Sequence, residues 1–142
     1  MKRQSRGPLL GALTMAAVIA ATLTGCAGGV SVDESAELAV ITDSGFLTGD
    51  EAAIRGTVAV TDEGCIGIAD ADGNVYPTIW PGGTTLADES AATIDIPGVG
   101  SRAEGDPIEG TGGYYSATSR DALSEVAERC AWDGEVIGIR FG

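Results

Sequence analysis

The chain has 142 residues, 21 of them acidic and 8 basic, no histidine, and a formal net charge of −13 at pH 7. A chain this short holds one modest domain, and its charge repels nucleic-acid phosphates and anionic lipid headgroups. Without histidine, and with its single lysine at position 2, it also lacks the usual general bases and Schiff-base nucleophiles.

Lys2, Arg3 and Arg6 precede an apolar run from Leu9 to Leu23. This is the layout of a secretory signal, and the run is shorter than the roughly 20 residues a permanent membrane span requires. No adjacent arginine pair precedes the run, which favours the general secretory route over twin-arginine export. The run closes on Leu23-Thr24-Gly25-Cys26, which resembles the lipobox of bacterial lipoproteins. The resemblance implies diacylglycerol on the Cys26 sulfur, cleavage between Gly25 and Cys26, and anchoring to the outer face of the cell membrane through palmitate-type chains. A thiolate is the nucleophile that accepts the lipid, and two or more chains hold a protein firmly where one does not. The simpler alternative is an ordinary signal peptide that ends near a cysteine. From Cys26 onward the chain carries five arginines, no lysine and all 21 acids, a net charge of −16. A charged partner would therefore be cationic, although the charge also serves solubility alone.

The expected organisation is a signal peptide over 1–25, a tether or ill-ordered lead-in over 26–50, and a single β-rich domain over 51–142. Residues 27–35 are small and polar, as a flexible tether would be. The following stretch reads either as a short strand around Leu38–Ile41 or as more tether. From Ala52 the apolar positions alternate: Ile54, Val58 and Val60 share one face of a strand. Thr61–Gly64 reads as a turn, Cys65–Ala69 as a second strand, Asp72-Gly73 as a tight turn and Asn74–Trp80 as a third strand, together an antiparallel meander. Pro77 lacks an N–H, which predicts an edge position or a bulge. Thr93–Ile96 is a weaker strand, and the glycine-rich 98–113 segment has room for one more. Leu123, Val126, Ala127 and Cys130 follow helical spacing, with Thr118 and Asp121 resembling a capping box. Glu135–Phe141 ends the chain as a strand with Ile137, Ile139 and Phe141 inward. Five or six strands with one short helix resemble a small antiparallel β-barrel of the OB type, except that the common OB helix falls between the third and fourth strands.

If Cys26 takes lipid, Cys65 and Cys130 remain as an even pair. In an exported protein they are expected to form a disulfide, with two buried thiols the alternative; zinc would require more ligands than they supply. Asp70-Ala71-Asp72-Gly73-Asn74 invites a calcium-loop reading through Asp70, Asp72 and Asn74, but its glycine comes too early and no closing glutamate follows, so a hairpin turn explains it. Tyr76 and Trp80 share a strand face, and Tyr114-Tyr115 follow two glycines. These four rings are candidates for stacking on cell-wall glycan, against the simpler role of core packing. No nucleophile elbow, phosphate loop or dinucleotide fingerprint is present. The expectation is a lipid-anchored envelope protein with a non-catalytic ligand- or partner-binding domain and no cofactor. The alternatives are a small envelope hydrolase using paired carboxylates and a calcium-binding module.

Overall fold

In the computed structural model the described residues are 29–35, 37–49 and 51–142. The chain runs β1 (Gly29–Glu34), β2 (Ala39–Ser44), β3 (Ala52–Val60), β4 (Ile66–Ala69), β5 (Val75–Trp80), β6 (Thr85–Asp88), β7 (Thr93–Ile96), β8 (Gly100–Arg102) and β9 (Pro107–Ser116). A 3-10 turn at Asp121–Leu123 leads into α1 (Ser124–Arg129), and β10 (Glu135–Arg140) ends the fold.

Five strands close a barrel in the order β3-β4-β5-β10-β9 and back to β3. The expected β3-β4-β5 meander is present. Counted along the chain, the barrel strands close in the order first, second, third, fifth, fourth, first, the Greek-key order of an OB-type barrel. One expectation is corrected: the barrel is not wholly antiparallel, because β10 lies parallel to β5, with Ile137 opposite Thr78. The long excursion through β6 to β9 and α1 returns the chain to that side in the same direction, as a parallel pair requires. The β6-β7-β8 meander occupies the link between third and fourth barrel strands, where the common OB arrangement has its helix.

Closing a barrel of five strands forces sharp coiling, and glycine makes it possible. A Cβ on Gly67 would run into the Tyr76 carbonyl, and one on Gly112 into the Gly138 carbonyl, so both positions depend on a bare backbone. Pro77 departs from expectation, since β5 is flanked by β4, β10 and β2 and is not an edge. It is tolerated because pairing with β10 begins at Thr78 and with β2 at Ile79, so its missing N–H costs no ladder bond there.

Two apolar clusters result. The barrel interior holds Ile54, Val58, Ile66, Ile68, Trp80, Ile137 and Ile139, joined by Ile94 and Ile96 from β7. The β6-β7-β8 meander thus plugs the end of the barrel where β5 finishes and β9 begins. The second cluster lies outside the barrel, where Leu123, Val126 and Cys130 pack on Ile41, Ile79 and Val136 with Phe46, Leu47 and Tyr115. Phe141 is only partly buried against the interior. The helix begins at Asp121 rather than from a Thr118 cap, and no side chain caps it; burial of Leu123 and Val126 sets its position.

The lead-in differs most from expectation. Gly29–Glu34 and Ala39–Ser44 form an antiparallel hairpin that joins β5 alongside the barrel, with Ile41 opposite Ile79. Leu38 and Val40 belong to the interior cluster, Ala39 and Ile41 to the outer one. A strand covered on both faces is a continuous apolar run, so it shows no alternation by which to separate it from tether. The signal segment and Cys26 lie outside the described residues.

Candidate functional site

Cys65, immediately before β4, and Cys130, immediately after α1, form a disulfide with a Cα–Cα distance of 5.8 Å. It fastens the helix to the outer face of the barrel. The backbone N–H groups of Cys65 and Cys130 bond to Thr61 and Val126 respectively, so both sulfurs are carried on ordered backbone.

The strand directions bring a second group of residues together at the barrel end opposite the β6-β7-β8 plug. Asp70 follows the end of β4, Tyr76 stands near the start of β5, Tyr114 near the end of β9, and Glu135 begins β10. The Tyr76 and Tyr114 rings meet edge to face, with centroids 5.9 Å apart and planes at 81°. Among the described residues Tyr114 is the one large hydrophobic side chain left exposed, at 46%. Tyr76 Oη donates to Asp70 Oδ2 at 3.3 Å. Desolvation, and then the negative charge of Asp70 with smaller contributions from Tyr114 and Glu135, raises the Tyr76 phenol above its ordinary value.

Asp70 organises the adjoining turn. Its Oδ1 accepts from the backbone N–H groups of Asp72 and Asn74, both at 2.9 Å, and its Oδ2 accepts from Asn74 Nδ2 at 3.1 Å. These bonds, the Asn74 side chain foremost, hold the Asp70 carboxyl below the usual aspartate value. Its oxygens are thus occupied by protein donors and shape a hairpin turn, and among the described residues no group of three His, Cys, Asp or Glu could hold a metal. A carboxyl whose pKa is depressed on folding stabilises the fold above its unfolded pKa and loses that contribution as pH falls through its folded pKa. Asp70→Ala should therefore lower the melting temperature at neutral pH, and the difference from wild type should narrow as pH falls into the acid range. Thermal unfolding across the acid range checks this, and a difference independent of pH would contradict it.

Two of the four candidate aromatics are not available to a ligand. Trp80 is fully buried in the barrel, its Nε1 donating to the Ile66 carbonyl at 3.1 Å. Tyr115, one residue from Tyr114 and on the opposite face of β9, is buried against Phe46, edge to face at 5.1 Å. The Arg120 guanidinium covers that pair, 5.2 Å from the Phe46 centroid and 5.4 Å from that of Tyr115. The sequence pattern that grouped Tyr76 with Trp80 reported a shared strand face, which here is the barrel interior; only the end of β5 leaves Tyr76 at the rim.

A cleft of about 360 Å³ lies between β1 and α1, lined by Val32, Glu34, Glu125, Glu128 and Arg129. Arg129 Nε pairs with Glu34 at 3.2 Å, and its Nη1 donates to the Glu63 carbonyl at 2.6 Å. Sequence inspection finds none of this, because Glu34 and the helix are almost a hundred residues apart. Hydrolysis by paired carboxylates requires one acid shielded enough to keep a proton. Here Glu34 is more than half exposed and already shared with an arginine, an arrangement suited to locking the β1 hairpin onto α1.

Glu135 is likewise a residue the sequence does not single out, since only the parallel β5–β10 pairing brings it level with Tyr76. Compared with protein-family models, curated proteins and solved structures, the chain matches none.

Proposed function

We propose that this protein is an exported bacterial lipoprotein, anchored through lipid on Cys26, whose barrel is a non-catalytic binding module at the cell envelope. The observation that carries the address is the Cys65–Cys130 disulfide. It accounts for two of the three cysteines, fits an oxidising compartment, and leaves as the odd thiol the one that ends the lipobox-like Leu23-Thr24-Gly25-Cys26. Among the described residues no helix is long and apolar enough to cross a membrane.

The binding part of the proposal rests on the barrel rim, where an exposed tyrosine is fixed against a second ring beside two carboxylates on rigid strands. Exposed aromatic surface on such a scaffold is more characteristic of recognition than of catalysis. Expressed in a bacterial host, the wild-type chain should fractionate with membranes and gain the mass of a diacylglyceryl group at Cys26. Cys26→Ala should appear as uncleaved precursor or in the soluble fraction. Membrane fractionation and intact mass measure both, and a Cys26→Ala product processed and retained like wild type would overturn the anchor.

A further inference from the structure

Strand β9 carries two consecutive tyrosines that point to opposite faces, and each meets a second ring edge to face. On one face the Phe46–Tyr115 pair is covered by the Arg120 guanidinium, which lies within 5.4 Å of both centroids. On the other, the Tyr76–Tyr114 pair has a negative setting, with Asp70 bonded to the Tyr76 hydroxyl and the charge of Glu135 acting on the same phenol. Among the described residues no guanidinium lies over either of these rings. Ring faces carry the negative lobe of the aromatic quadrupole, and carboxylates beside them add to the attraction for a cation.

The chain's own cations are largely committed elsewhere. Arg55 pairs with Glu109 at 2.9 Å, Arg129 with Glu34, Arg120 covers Phe46 and Tyr115, and Arg102 donates to the Ser101 carbonyl. From Cys26 on there is no lysine. Arg140 stands at the opposite end of β10 from Glu135, so a cation for the rim would come from another molecule.

We infer that the Tyr76–Tyr114 rim, flanked by Asp70 and Glu135, binds an arginine side chain of a partner polypeptide, stacking the guanidinium on Tyr114 as Arg120 is stacked on Tyr115. This rests on the binding-module reading and names its ligand chemistry. Guanidinium suits the site better than ammonium because it is planar, stacks on rings and is weakly hydrated, while still forming paired bonds to a carboxylate. The net charge of −16 draws any polycation nearer, but only the ring pair distinguishes arginine from other positive groups.

The test is a binding titration of the full chain in detergent with three short peptides of the same Gly-Xaa repeat, carrying arginine, lysine or the uncharged arginine analogue citrulline. The arginine peptide should bind wild type most tightly, the lysine peptide less so, and the citrulline peptide not detectably. Tyr114→Ala, a change at an exposed position, should weaken the arginine peptide about fivefold and erase its advantage over lysine, whereas Tyr114→Phe should retain it. Glu135→Gln should weaken both cationic peptides. Equal binding of the arginine peptide by wild type and Tyr114→Ala would place the contact elsewhere and overturn the inference while leaving a binding role intact. No binding of either cationic peptide by wild type would overturn it together with the cationic-partner reading.

Discussion

Reduction of the Cys65–Cys130 disulfide will lower the unfolding free energy of the domain by about 4 kcal/mol, the chain-entropy value for the 65-residue separation it spans. Small domains have only about 5–15 kcal/mol in total, so the reduced protein will be marginal at growth temperature. The bond restrains the unfolded chain from the start of β4 to the end of α1, which includes three of the five barrel strands, β4, β5 and β9, and the β6-β7-β8 plug, with β3 and β10 outside as partners. In the folded state it clamps α1 over Ile79 and Val136. Urea unfolding of oxidised and reduced wild type, and of a Cys65→Ala/Cys130→Ala double variant, measures the effect. Reduced and oxidised forms with the same midpoint would show that the crosslink contributes nothing.

Trp80→Ala will cost about 3–5 kcal/mol, the range for truncating a fully buried large aromatic. The indole is wholly enclosed in the barrel interior, and its Nε1 bond to the Ile66 carbonyl ties β5 to the start of β4. Removing it opens a cavity next to Ile66 and Ile68, which rigid closed strands cannot collapse to fill. Trp80→Phe will lose less, chiefly the hydrogen bond, for about 1 kcal/mol. Tyr114→Ala is the comparison that separates core from rim, since its ring is exposed and surface changes generally stay within about 0.5 kcal/mol. Chemical denaturation of the three variants distinguishes these outcomes, and a Trp80→Ala variant as stable as Tyr114→Ala would refute the interior placement of the indole.

The parts of the barrel most legible along the chain are those covered on one face or marked by a turn dipeptide, whereas β5 and β10 are covered by the interior on one side and by α1 on the other. Ile54, Val58 and Val60 alternate with exposed or small residues, Asp72-Gly73 marks the β4–β5 turn, and Leu123, Val126 and Cys130 keep helical spacing; each pattern reports one buried side. The β2 strand was ambiguous for the opposite reason. Sandwiched between the barrel interior and α1, Leu38–Ile41 is apolar on both faces and offers no period. The short β6 and β8 strands escaped because three or four residues with glycine at their turns carry too little pattern to register.

The site divides in the same way. Residue identity alone determined that the chain has three cysteines, no histidine and, from Cys26 on, a net charge of −16, and the proposals of a lipid on Cys26 and a cationic partner start from that composition and from a motif contained in four consecutive residues. Which tyrosine is exposed, which is covered by Arg120, and that Asp70, Tyr76, Tyr114 and Glu135 share one rim were decided only by tertiary structure. Those four residues span 66 positions, and they meet because β4, β5, β9 and β10 all reach the same end of a closed barrel. That alignment is set by strand direction and register, which no local spacing encodes.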